Sequence, residues 1–204
     1  MHLAVNLDML TAIVLAAGSS RRMGKNKLLL PYTGSPLLTY VVGNILAAKV
    51  GPVIVVTGYD AERIGEALKD LRVQMVHNPG YETGMTSSIQ AGVNAAGGEG
   101  YMICLSDMAL ISPGEYRLLK TAFDKEYRRD KACIIQPTYD NQTGNPVTFS
   151  AAWRQAILEH PGPEGCKSIL RSHTDNCYQV EMLTSSVLQD VDWPEDYDRL
   201  FDND

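Results

Sequence analysis

The chain has 204 residues, 45% of them hydrophobic and 21% charged, which suits one soluble α/β domain (1–204) able to bury a sizeable core. A formal net charge of -6 argues against a nucleic-acid partner and confines any phosphate site to a local basic patch. The four cysteines, Cys104, Cys133, Cys166 and Cys177, lack Cys-x-x-Cys spacing, so neither a zinc site nor a redox dithiol is suggested. Cys104 and Cys133 lie in apolar runs and read as core residues. The first ten residues, with His2, Asn6 and Asp8, carry no basic start and no long apolar stretch, so they do not read as a secretory signal. No apolar run approaches the roughly 20 residues needed to cross a bilayer. The cytoplasm is the expected location, with no membrane partner.

In chain order, residues 13–15 read as the end of a buried strand, followed by the small residues Ala16, Ala17 and Gly18. A turn is predicted at 32–36. Leu37, Leu38, Val41, Val42, Ile45 and Leu46 recur in pairs every four residues, as on one buried helical face. Residues 53–56 are a predicted strand, and Asp60 is expected to cap a helix that turns Ile64, Ala67 and Leu68 inward. A strand at 73–76 closes on Asn78-Pro79-Gly80. Thr86 or Ser87 is expected to cap the next helix, which carries Ile89 and Val93 on one side.

A strand at 101–105 ends on Ser106-Asp107. Ser112-Pro113-Gly114-Glu115 is a capping box with proline at the first helical position, opening a helix with Tyr116, Leu119 and Phe123 inward. Strands at 132–136 and 147–149 flank a turn at 140–144. Helices are predicted at 151–159 and 166–172, strands at 178–182 and 187–191, and a last helix from Pro194 through Leu200. This alternation predicts an α/β fold with a mostly parallel sheet and helices on both faces. Such sheets bind ligands at the carboxyl ends of their strands, where Gly18 and Asp107 both fall.

The stretch after the first strand is a phosphate-binding layout. Small residues let successive backbone N–H groups approach oxygens as an anion nest, and Arg22 and Lys27 add full charges. It is not a Walker A loop, because five residues separate Gly18 from Gly24 and Asn26 follows Lys25. It is not the dinucleotide fingerprint either, since Gly18-Ser19-Ser20 lacks the second glycine. Asp107 suits a magnesium ligand, because Mg²⁺ takes one or two carboxylates plus phosphate oxygens. None of His2, His77, His160 and His173 shows metal-ligand spacing, and no Gly-x-Ser-x-Gly elbow supports a serine hydrolase.

The string Leu15-Ala16-Ala17-Gly18-x-Ser20-x-Arg22-Met23-Gly24-x-x-Lys27 resembles the signature loop of the MobA/MocA-type nucleotidyltransferases, which have a Rossmann-like fold. Ala16-Ala17-Gly18 is similar to the molybdenum cofactor cytidylyltransferases; guanylyl relatives usually carry Ala-Gly-Gly. Leu105-Ser106-Asp107-Met108-Ala109 resembles the family's Leu-Gly-Asp-Met-Pro. Asp190-Val191-Asp192-Trp193-Pro194-Glu195-Asp196-Tyr197 resembles its Asp-Ile-Asp-Thr-Pro-Glu-Asp-Tyr, with Trp193 in place of a small residue. Thr143-Gly144-Asn145-Pro146-Val147 resembles Arg-Gly-His-Pro-Val, and 162–167 keeps two glycines of Gly-Asp-x-Gly-Ala-Arg.

The resemblance implies Mg²⁺-dependent transfer of CMP from CTP to a pterin-phosphate acceptor, the molybdenum cofactor, with a molybdenum enzyme as a candidate recipient of the product. It implies a nucleotide site of Leu15, Ala16, Ala17, Gly18, Ser19, Ser20, Arg22, Lys27, Asn78, Gly84 and Ser88. Arg22, Lys27 and Asp107 would be catalytic, and Asp107 and Asp192 would hold the metal, with Glu195 or Asp190 as the next candidates should Asp192 not do so. The alternatives are GTP in place of CTP, a sugar- or alcohol-phosphate acceptor, a non-catalytic cofactor-delivery protein, and an oxidoreductase, for which no dinucleotide fingerprint is present.

Overall fold

Residues 10–201 are described by the computed structural model. The reading of the first ten residues, His2 included, therefore lies outside the described residues except for Leu10. Strand β1 (Leu10–Ala16) is followed by two short turns of 3-10 helix and a hairpin of β2 (Pro31–Tyr32) and β3 (Ser35–Pro36). Then come α1 (Leu37–Ala48), β4 (Val53–Thr57), α2 (Ala61–Leu68), β5 (Gln74–His77), α3 (Met85–Ala95) and β6 (Gly100–Leu105). The second half holds α4 (Pro113–Tyr127), β7 (Ile134–Tyr139), β8 (Gln142–Thr143), β9 (Val147–Ser150), α5 (Arg154–Leu158), α6 (Lys167–Ser172), β10 (Cys177–Glu181) and α7 (Pro194–Arg199).

One main sheet runs β10-β7-β9-β6-β1-β4-β5, with β8 paired to β7. The β1–β4, β1–β6, β4–β5 and β10–β7 pairs are parallel; β9 runs antiparallel to both its neighbours. The chain leaves β1 toward β4 and β5, then crosses back to β6 on the other side of β1. That reversal opens a crevice at the carboxyl ends of β1 and β6.

Alternation along β1 separates the two faces of the sheet. Leu10, Ala12, Val14 and Ala16 join Leu38, Val42 and Ile45 of α1, Ile64 of α2 and Tyr116, Leu119 and Phe123 of α4. Ile13 joins Ile54, Val56, Tyr101 and Ile103 under Ile89 and Val93 of α3 and Ile157 of α5. Helices thus cover both faces, as the sequence predicts. Cys104 and Cys133 are fully buried core thiols.

The capping box of α4 is formed: Ser112 Oγ accepts from the Glu115 N–H, and the Glu115 carboxylate accepts from the Ser112 N–H at 2.8 Å. Three local expectations are corrected. Asp60 stands at the N-cap of α2 in the left-handed region with φ 59 and makes no capping bond; its carboxylate instead accepts from Asn26 and Arg63. Gly84, not Thr86 or Ser87, precedes α3; the Thr86 hydroxyl accepts from the Gly165 N–H.

Residues 187–191 are not a strand. A 3-10 turn occupies Ser185–Leu188, Gln189 is extended, and residues 189–192 belong to no strand or helix. Val187 and Val191 are buried, but Thr184 caps the turn and the Val187 carbonyl accepts from the Asn145 N–H in a loop. Apolar spacing placed the side chains correctly and misjudged the backbone.

Candidate active site

The carboxyl ends of β1 and β6 open into a cavity of about 550 Å³ lined by Leu15, Ala17, Gly18, Ser19, Ser20, Arg22, Lys27, Gly84, Ser88, Asp107, Asp190 and Asp192, together with Leu28, Tyr81, Glu82, Met85, Leu105 and Ser106. Its floor is sheet-borne. The Ser106 hydroxyl donates to the Leu15 carbonyl at 2.6 Å, tying the end of β6 to the end of β1. The serine that stands where the resemblance expects glycine therefore has a fixed structural task.

The loop after β1 leaves backbone donors available. The N–H groups of Gly18, Ser19 and Ser20 make no hydrogen bond among the described residues. Ser20 sits at φ 48, the left-handed conformation that turns neighbouring N–H groups to one side. Asn26 fixes the next turn of the chain: its Oδ1 accepts from the Leu28 N–H at 3.1 Å and its Nδ2 donates to Asp60 at 3.2 Å. The short turn Lys27–Leu29 is thereby capped, and the buried Leu28 anchors it.

Lys27 projects from that turn into a group of carboxylates. Its Nζ lies 2.6 Å from Asp107 Oδ2 and 3.0 Å from Asp192 Oδ1. Arg22 pairs with Asp192 Oδ2 and rests with Cζ 5.3 Å from the centre of the Trp193 ring. Asp107, Asp190 and Asp192 each offer a carboxylate oxygen within 4.8 Å of the others. Burial opposes the Lys27 charge, but Asp107 and Asp192 more than offset it and raise the ammonium above its ordinary pKa. Burial likewise opposes the Asp192 charge, yet Lys27 and Arg22 hold its carboxyl below the usual range. Asp190 is pushed up by burial and by the charges of Asp107 and Asp192.

The C-terminal segment is held in place by side chains. Asp196 accepts from the Asp192 N–H at 3.1 Å and the Trp193 N–H at 2.8 Å. Tyr197 donates to the Pro31 carbonyl. Upstream, Glu115 accepts from the Ser186 and Thr184 hydroxyls at 2.6 and 2.7 Å, so the residue that caps α4 also pins the segment leading to Asp190.

A family model described as a MobA-like NTP transferase domain matches residues 12–177. The chain belongs to the MobA-like NTP transferase family. The molybdenum cofactor cytidylyltransferase of Escherichia coli is 26% identical, over 94% of this chain and 95% of its own. The nicotine blue oxidoreductase of Paenarthrobacter nicotinovorans is 26% identical, over 96% and 98%. A solved nucleotidyl transferase from Methanothermobacter superposes with a TM-score of 0.82 at 25% identity, over 96% of this chain and 97% of its own.

In this MobA-like transferase the cavity gathers most residues of the expected nucleotide and metal sites and leaves Ala16 and Asn78 outside its lining. Ala16 is a core residue of β1, 1% exposed. Asn78 is buried and spends its amide within the fold: Nδ2 donates to Ser87 and Ser88, and Oδ1 accepts from the Gly80 N–H. Gly84 does line the cavity, but its demand for glycine is structural. At φ +117 a Cβ there would lie 2.5 Å from Pro163 Cβ. The 143–147 stretch and Lys167 do not line this cavity.

Asp190, which the sequence offers only as a next candidate for the metal, lines the cavity beside Asp107 and Asp192. Its signal was its spacing: aspartates at i and i+2 on an extended segment face the same way. Tyr81, Glu82 and Met85, from the stretch between Asn78 and Ile89, also line the cavity; Tyr81 packs against Gly58 and Met85 against Gly165.

Proposed function

We propose that this MobA-like transferase moves CMP from CTP to the phosphate of a pterin acceptor, the molybdenum cofactor. An acceptor phosphate oxygen attacks the α-phosphorus, the bond to the bridging oxygen breaks, and pyrophosphate leaves. The observation that carries this reading is the meeting, in one cavity, of a loop with unpaired N–H groups, two cations and three carboxylates.

No covalent intermediate on the protein is needed, so the residues act by positioning and charge. Backbone N–H groups of Gly18, Ser19 and Ser20 would hold the β- and γ-phosphates. Arg22 would neutralise the departing pyrophosphate, and Lys27 would bridge the α-phosphate and the acceptor phosphate.

The carboxylates fit a divalent ion. Their oxygens cluster within 4.8 Å, and Asp107 Oδ1 is buried with no hydrogen-bond partner among the described residues. Asp107 and Asp192, with Asp190 as a third, would hold Mg²⁺. Bound there, the ion would supply positive charge against the triphosphate.

CTP is favoured over GTP by Ala17, which lines the cavity with a methyl where guanylyl relatives usually carry glycine, and by the cytidylyltransferase relative. Ala17→Gly should relax that preference, worth roughly 10–200-fold for a single methyl. A cytoplasmic location, a single domain spanning 1–204 and a molybdenum enzyme as recipient go with this reading.

Pyrophosphate release on mixing protein, Mg²⁺, CTP and molybdopterin tests it and separates it from a delivery protein or an oxidoreductase. A screen of the four NTPs for Mg²⁺-dependent thermal stabilisation identifies the nucleotide. Stabilisation by none of the four would overturn the proposal.

A further inference from the structure

We infer that Lys27 keeps the divalent-ion position closed until nucleotide arrives, so that the chain takes its ion together with the triphosphate and not before it. This rests on the carboxylate site proposed above.

Lys27 Nζ bridges Asp107 Oδ2 and Asp192 Oδ1 at 2.6 and 3.0 Å. These are two of the three carboxylates that would share an ion. Arg22 takes the other oxygen, Asp192 Oδ2. Both oxygens of Asp192 and one of Asp107 are therefore committed to protein cations. An ammonium and a divalent ion repel, and both draw on the carboxylates of Asp107 and Asp192.

Lys27 cannot simply swing into water. Its side chain is only 13% exposed, and its stem leaves a turn fixed by the Asn26 cap and the buried Leu28. Pulling it off two carboxylates with no replacement anion would leave a largely buried charge unpaired, which is strongly unfavourable. A triphosphate on the Gly18–Ser20 loop supplies that replacement. Lys27 and Arg22 then exchange carboxylate for phosphate oxygens, and the carboxylates become free for the ion. Nucleotide and ion binding are coupled through two side chains, and the coupling is reciprocal.

The test measures Mn²⁺ retained by the protein on ultrafiltration, with and without CTP, for the wild type, Lys27→Met and Lys27→Arg. Methionine keeps the length of the side chain and removes its charge. Without nucleotide, Lys27→Met should bind Mn²⁺ at least about tenfold more tightly than the wild type, because the competing charge is gone. Lys27→Arg should remain weak. CTP should raise Mn²⁺ retention by the wild type.

A wild type that retains Mn²⁺ alone as tightly as with CTP overturns the inference and leaves the carboxylate site standing. So does a Lys27→Met variant that binds no more tightly than the wild type. Should Lys27→Met fail to fold, the wild-type pair of measurements decides. No Mn²⁺ on any protein, with or without CTP, sinks the site itself.

Discussion

Gly18 separates what the fold needs from what the ligand needs. It is not in the left-handed region, and a Cβ built there meets nothing within 4 Å. Gly18→Ala should therefore cost the folded state nothing, and it removes conformational freedom from the unfolded chain. The expected stability gain is about 0.4–1 kcal/mol, or a Tm rise of roughly 1–4 °C for a chain this long. The new methyl, however, would enter open space in the cavity that Gly18 lines, where the proposed triphosphate would lie. Losing one charge-assisted hydrogen bond there costs about 1.5–3 kcal/mol, a roughly 10–150-fold weaker Kd for CTP. Thermal unfolding without ligand and a calorimetric CTP titration measure the two effects separately. Normal CTP affinity in Gly18→Ala would refute this loop as the phosphate cradle. A lower Tm would refute the description of the loop itself.

Gly84→Ala should behave in the opposite way, losing about 1–3 kcal/mol of stability in denaturant titrations, because φ +117 and the Pro163 contact both exclude a Cβ. Trp193→Ala should raise KM for CTP roughly 2–5-fold with little change in kcat, since Arg22 loses its aromatic backing but keeps Asp192, and Trp193→Phe should restore most of it. A kcat loss without a KM change would show that Trp193 acts otherwise. Burial works against the Glu115 charge, but bonds from Ser186, Thr184 and Ser112 hold its carboxyl below its ordinary value. Its stabilising effect is thus present above about pH 4.5 and lost as pH falls through the depressed value. Glu115→Gln should flatten the acid side of the stability–pH curve, and an unchanged curve would remove Glu115 from the acid response.

Local pattern carried most of the sheet and half of the site. The Ile13–Leu15 run, the helical pairs from Leu37 to Ile45 and the Ser112–Glu115 box each encode their structure within a few residues, and they form as read. The loop from Gly18 to Lys27 was legible for the same reason. What escaped depends on partners distant in sequence. Val187 and Val191 are apolar because they pack against the sheet, and no local feature says that their backbone bonds run to a loop and not a ladder. Asp60 turns from its helix because Asn26, thirty-four positions earlier, claims its carboxylate. Lys27 meets Asp107 and Asp192 only after the whole chain has folded, so its pairing with carboxylates in place of phosphate had no signature in its own neighbourhood.

The three aspartates do not rest on equally firm ground. Asp107 follows a central strand laddered on both sides. Asp190 and Asp192 ride on a strap pinned at one end by Glu115 and at the other by Asp196, with no ladder between. Such a strap can peel away as a unit while the sheet stays intact. Two of the three aspartates are then a latch fastened to the third, and the amide hydrogens from 189 to 193 should exchange far sooner than those of β6. Whatever ion or nucleotide bridges the strap to Asp107 would act as the fastener, slowing that exchange while the ladders of the sheet stay as they are.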